Sequence, residues 1–157
     1  MRPSVYIETT IVSYLVARPS RDAVMAERQR QTREWWENRR GEYRLFTSDM
    51  TLAEVQRGEA FMARTRVAAL TGIPLITTHG GISALAEALL TRGPLPINAR
   101  SDAYHIAVAA AESVTYLLTW DRRHIANPRM KRRCEQVCRE FGYELPILCT
   151  PYELFRR

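Results

Sequence analysis

Five short runs in this chain, Val5–Ile7, Tyr43–Thr47, Ile73–Ile76, Thr115–Thr119 and Pro146–Cys149, read as strands that are apolar almost throughout. Strands that do not alternate with polar residues need cover on both faces, which helices packed on either side of a parallel sheet provide. The segments between them carry helix signals. Asp22 to Arg40 is long and charged, with Asp22 as N-cap and Gly41 just past its end. Thr51–Arg57 is closed by Gly58, Glu59–Leu70 by Gly72 and Ile82–Arg92 by Gly93-Pro94. Ala99–Glu112 is alanine-rich, and Pro128–Phe141 has proline in its first turn and Gly142 after it. The alternation predicts an α/β sandwich around a mostly parallel sheet, with a short tail after Cys149.

A length of 157 residues suits one domain, residues 1–157. The 46% hydrophobic and 25% charged content excludes a disordered chain. No apolar run reaches the roughly 20 residues of a membrane helix, so no membrane association is expected. Met1-Arg2-Pro3 leads straight into the first strand without a signal peptide. Cys134, Cys138 and Cys149 are odd in number and lack CxxC spacing, which fits buried thiols in a reducing cytoplasm better than disulfides or zinc. The net charge of +6 is unevenly placed. Residues 1–121 hold 14 Arg/Lys against 13 Asp/Glu, and residues 122–157 hold 9 against 4, starting at Arg122-Arg123. A polyanionic partner and a solvated basic helix both account for that run.

Ligands of an open parallel sheet bind beyond the carboxyl ends of its strands. The chain delivers acids to that edge repeatedly. Glu8 follows the first strand, Asp49 and Glu54 the second, and Asp121 the fourth, while Asp102 opens the alanine-rich helix. From Asp102 the chain descends a helix for roughly 16 Å and returns along a strand for roughly 16 Å, so Asp102 and Asp121 share an edge. Glu54 joins them only if its helix leans over the site. Converging carboxylates repel one another, and a hard divalent cation, Mg²⁺ or Mn²⁺, relieves the repulsion. Such a cation activates water for in-line attack at phosphorus. Each acid also has a local explanation. Glu8 can be a turn residue, Thr51 and Glu54 a capping box, Ser101 or Asp102 an N-cap, Asp121 a turn former, and Asp49 a helix-start residue. His105 and His124 read as packed or solvent-facing histidines that could touch substrate. Trp35-Trp36 read as core residues with subunit or partner contact as the alternative. No P-loop, GxGxxG or Ser-His-Asp spacing is present.

In order along the chain, VYIETTIVSYL, TLAEVQRG, SDAYHIAVA and YLLTWDRRHIAN resemble the signature segments of PIN-domain nucleases, and most closely the VapC-type toxins of type II toxin–antitoxin pairs. The resemblance spans the first strand to the fifth. It implies a three-layer fold with a five-stranded parallel sheet, Mg²⁺- or Mn²⁺-dependent endoribonuclease activity, a homodimer, and inhibition by a small antitoxin. Its catalytic acids fall on Glu8, Glu54, Asp102 and Asp121, with Glu8, Asp102 and Asp121 at the metal and Glu54 ligating or orienting a water. Thr10 matches the small hydroxyl residue beside the first acid. On the substrate side it is joined by Arg122 and Arg123, which would steer RNA phosphates. The family usually has Asp where this chain has Glu8. Glu54, Asp102 and Asp121 separate this reading from a catalytically weak PIN-like module that only binds RNA or protein. A phosphatase of doubly wound type would want a second acid two residues after the first, where this chain has Thr10.

Overall fold

The computed structural model describes residues 1–93, 95–123 and 127–157. Its strands are β1 (Ser4–Ile7), β2 (Arg44–Ser48), β3 (Leu75–Ile76), β4 (Tyr116–Leu118) and β5 (Ile147–Cys149), in the order β3-β2-β1-β4-β5, every neighbouring pair parallel. The central strand β1 pairs Tyr6 with Phe46 on one side and with Leu117 on the other. The helices are α1 (Thr9–Val16), α2 (Ala23–Asn38), α3 (Asp49–Val55), α4 (Ala60–Ala69), α5 (Gly80–Thr91), α6 (Arg100–Ala111), α7 (Pro128–Glu140) and α8 (Pro151–Phe155). Short 3-10 turns sit at Arg40–Glu42 and Ile97–Ala99.

Strand side chains point alternately to the two faces, and the two cores follow that period. Tyr6 and Leu117 face the core made with α5, α6 and α7. Val5, Ile7 and Leu118 face the core made with α1, α2 and α8. The result is the expected three-layer α/β sandwich. Each fully buried leucine or isoleucine contributes about 1.5–3 kcal/mol. Trp35 and Trp36 both serve the second core, with the Arg40 guanidinium 4.6 Å over the Trp36 ring. The three cysteines are buried free thiols, each pushed up by burial, to about 12 for Cys134 and Cys149 and about 11 for Cys138. No helix among the described residues is long and apolar enough to cross a membrane.

Two helices depart from the sequence expectation. α1 is built from TTIVSYLV, whose β-branched residues are weak helix formers, but Ile11 and Val12 are fully buried and tertiary packing holds the helix. α8 occupies the supposed tail, opened by a Thr150–Glu153 capping box. Pro94 and His124 lie outside the described residues.

Candidate carboxylate site

β1 ends at Ile7, and Glu8 is both the next residue and the N-cap of α1. Its Oε1 accepts from the Thr10 amide (3.1 Å), the Thr10 hydroxyl (2.5 Å) and the Thr119 hydroxyl (2.6 Å). Thr10 Oγ1 in turn accepts from the Trp120 amide, and Thr119 Oγ1 from the Asp121 amide. Glu8 is thus tied to both the turn after β1 and the turn after β4. Among the described residues, all of these bonds end on Oε1 and none on Oε2. Burial raises the Glu8 pKa, against the pull of His105 and the two threonines. The same burial would favour a cation beside it, since a charge partner offsets desolvation.

Glu54 does lean over the site. Ser48, the last residue of β2, caps α3 by accepting from the Thr51 amide (3.1 Å), so the helix starts earlier than expected. Thr51 is therefore inside the first turn, and the capping box that was the local alternative for Thr51 and Glu54 does not form. Glu54 Oε1 accepts from Thr9 Oγ1 and from His105 Nε2 (2.8 Å), and Oε2 accepts from Ser101 Oγ (2.5 Å). The latter bond also removes Ser101 from a capping role. α6 emerges from the 3-10 turn with Ala99 at its N-cap and no side-chain cap. Burial would raise the Glu54 pKa, but the bond and charge of His105, with Ser101 and Thr9, outweigh it and hold the carboxyl at about 2.

Of the two readings the sequence leaves for His105, packed or solvent-facing, the structure shows the packed one: it is 2% exposed. Packing is only part of its role. It stands one turn after Asp102 on α6, with Nδ1 2.6 Å from the Tyr6 hydroxyl and Nε2 on Glu54. Tyr6 Oη is itself placed by Ser48 Oγ (2.7 Å) and Thr51 Oγ1 (3.1 Å). Burial would lower the His105 pKa; Tyr6, the Glu54 hydrogen bond and the charges of Glu8 and Glu54 reverse that and raise it to about 10. One ligand-type atom from each of Glu8, Glu54 and His105 lies within 4.8 Å of the other two, which is metal-site spacing. An ionised Glu54 can only accept, however, so Nε2 carries a proton and has no lone pair to give a metal. His105 belongs to the site as a donor.

Asp102, in the first turn of α6, and Asp121, after β4, complete the group. Asp102 lines a small recess with Glu8, His105, Asp121 and Arg122. A larger cleft of about 400 Å³ is lined by Glu8, Glu54, Asp102 and Asp121 together, with Thr9, Thr10, Ser101, Arg57 and Arg123. All four acids of the sequence reading therefore meet in one cleft. Asp121 pairs with Arg123 at 3.3 Å, and Arg122 pairs with Glu153 of α8 at 2.7 Å. Asp49 is elsewhere. It opens α3 and accepts from the Thr78 amide (2.9 Å) and hydroxyl (2.7 Å), which pins the turn after β3.

A hard divalent cation fits the donor set, which is all oxygen around the cleft with one buried carboxylate already oriented by two hydroxyls. Sequence reasoning set His105 aside and did not single out Tyr6, Thr9 or Thr119. The spacing of His105 one turn from Asp102 was the available signal, since both then lie on one helix face.

No family model and no curated protein matches the chain. Among solved structures, a chain of the crystal structure of VapBC2 from Rickettsia felis bound to a DNA fragment from their promoter is similar in fold. The likeness covers 94% of this chain and 98% of that one, with a TM-score of 0.54 at 16% identity.

Proposed function

We propose that residues 1–157 form a PIN-like, Mg²⁺- or Mn²⁺-dependent endoribonuclease, the VapC-type toxin of a type II toxin–antitoxin pair, acting in the cytoplasm as a homodimer. The observation that carries the reading is the convergence of Glu8, Glu54, Asp102 and Asp121, from four separate elements, on one cleft at the carboxyl end of the sheet. The fold shared with the Rickettsia felis VapBC2 chain supports the toxin class and a small antitoxin as partner.

Glu8, Asp102 and Asp121 would hold the cation. When bound, it supplies Lewis acidity to water and to the phosphoryl oxygens of the RNA. Thr10 and Thr119 donate to Glu8 Oε1 and fix its carboxylate before any ligand arrives. Glu54 stays ionised at neutral pH and, held by Thr9, Ser101 and His105, orients a water by accepting its proton in a hydrogen bond. Arg122 and Arg123 would contribute positive potential toward phosphates, each while tethered to an acid.

The test is a gel assay on mixed RNAs with Mg²⁺, Mn²⁺ or EDTA, run beside Asp102→Asn. Metal-dependent cleavage by the wild type alone is expected. Cleavage by Asp102→Asn at the wild-type rate, with a folded circular-dichroism spectrum, sinks the assignment. RNA binding without cleavage by the wild type selects the binding-module reading.

A further inference from the structure

Beside the acid cleft lies a second, more open hollow of about 570 Å³, between α3 and the start of α6. Glu54, Arg57 and Ser101 line both, so the two are continuous across that rim. Beyond the rim the hollow is walled by Met50 on α3 and by Arg100 and Tyr104 on α6. Its size is that of a small-molecule site.

The charges in this region are not equivalent. Arg100 Nη1 is bound to Glu87, and the Tyr104 hydroxyl donates to the same carboxylate at 3.3 Å. Glu87, on α5, thus neutralises the arginine and steadies the tyrosine ring. Asp49, at the far side, is occupied by Thr78. Arg57 differs from all of these. Its amide donates to the Glu54 carbonyl and its own carbonyl accepts from Arg66, so its backbone is fixed. Among the described residues, no hydrogen bond, ion pair or ring contact engages its guanidinium. By contrast, the two arginines that the sequence suggested for phosphate contact, Arg122 and Arg123, are both ion-paired. An uncommitted guanidinium next to a steadied aromatic ring and a thioether is the combination that takes a phosphate and a base.

Resting on the nuclease reading, we propose that the hollow is a nucleotide subsite. It holds one unpaired nucleotide of the RNA strand flanking the cleaved bond, with Arg57 on the phosphate at the shared rim and the base against Tyr104 and Met50. A base can reach Tyr104 only if it leaves the stack, so the subsite selects single-stranded over duplex RNA.

The test measures affinity of the full chain for a fluorescent single-stranded RNA in EDTA over a salt series, and KM for its cleavage with Mn²⁺. Arg57→Gln should weaken binding, raise KM several-fold, and flatten the log affinity–log salt slope by about 0.7, the share of one phosphate contact on a single strand. Tyr104→Leu should weaken binding about fivefold or more with the salt slope unchanged. Arg21→Gln, at an exposed position before α2, should do neither, and a duplex of the same sequence should bind equally to all three variants and the wild type. Wild-type affinity, slope and KM in both Arg57→Gln and Tyr104→Leu overturn the subsite even if the wild type cleaves RNA. That result is also expected if a protein segment fills the hollow. Binding that depends on Arg57 and Tyr104 in a wild type that cleaves nothing with Mg²⁺ or Mn²⁺ upholds the subsite and overturns the nuclease reading alone.

Discussion

The inner and outer halves of the cleft are built differently. In the inner half, Glu8 and Glu54 are gripped by hydroxyls, one backbone amide and His105, and their side chains are mostly removed from water. In the outer half, the Asp121 side chain is 29% exposed and that of Arg123, which pairs with it, is 76% exposed. An exposed ion pair holds its members by about 0–1 kcal/mol, whereas a buried polar group left without a partner costs about 1–3 kcal/mol. The inner half is therefore set before a ligand arrives, and the outer half adjusts when one does. A site that must tolerate carboxylate repulsion when empty gains from this division. The proton on His105 Nε2 offsets charge where water cannot, and solvent screens charge at the rim.

The largest expected effect is at Asp102, which lines both the small recess and the larger cleft. Asp102→Asn should abolish metal-dependent RNA cleavage, a loss greater than the roughly 10–100-fold typical of removing an outer hydrogen-bond partner. Single-turnover rates with Mn²⁺ and a folded spectrum check it. Next comes the inner half. His105→Leu should cut the rate roughly 10–100-fold, and should lower stability by about 1–3 kcal/mol by taking one partner from the Tyr6 hydroxyl, which keeps Ser48 and Thr51, and one from the Glu54 carboxylate, which keeps Thr9 and Ser101. His105→Gln, whose amide can still donate to Glu54, should recover part of the rate. Equal losses in the two variants would show that the imidazole matters only as packing.

Smaller still is the effect of Thr119→Val, which removes one donor from Glu8 at nearly constant volume. It should cost about 1 kcal/mol in urea unfolding and weaken Mn²⁺ binding, read by calorimetry. pH separates the halves with no mutation. With EDTA present, the raised His105 pKa contributes stability that is fully present below about pH 6.5 and lost as pH rises toward about 10. The depressed Glu54 pKa contributes stability present above about pH 4.5 and lost as pH falls toward about 2. Glu8, raised by burial, works against the latter trend. Melting temperature should accordingly fall from pH 7 toward pH 10, and less steeply in His105→Gln. The smallest effect is predicted at the rim: Arg123→Gln should change stability by less than about 1 kcal/mol. A destabilisation there as large as in His105→Leu would erase the distinction between the halves.

The fold was legible because its signals are local. Apolar runs mark the five strands, and Gly58, Gly72 and Gly142, each with positive φ, mark where helices stop. α1 was not legible, since nothing local favours a helix in TTIVSYLV; burial of Ile11 and Val12 decides it. The acids at the strand ends were legible for the same geometric reason that places Asp102 and Asp121 at one edge. The partners of those acids were not. Thr51 followed by Glu54 reads equally well as a capping box, and only the position of Ser48 at the end of β2 settles which residue caps α3.

The sequence by itself determined the alternation of elements, the edge of the sheet to which the carboxylates go, and the uneven basic charge. Tertiary structure alone decided that His105 bridges Tyr6 and Glu54, that Arg122 and Arg123 are tied to acids, and that Arg57 is left open beside a second hollow. The physical reason is range. Strand and helix preferences are written within a few neighbouring residues, whereas the partner of a polar side chain is chosen among groups that become neighbours only when distant segments pack.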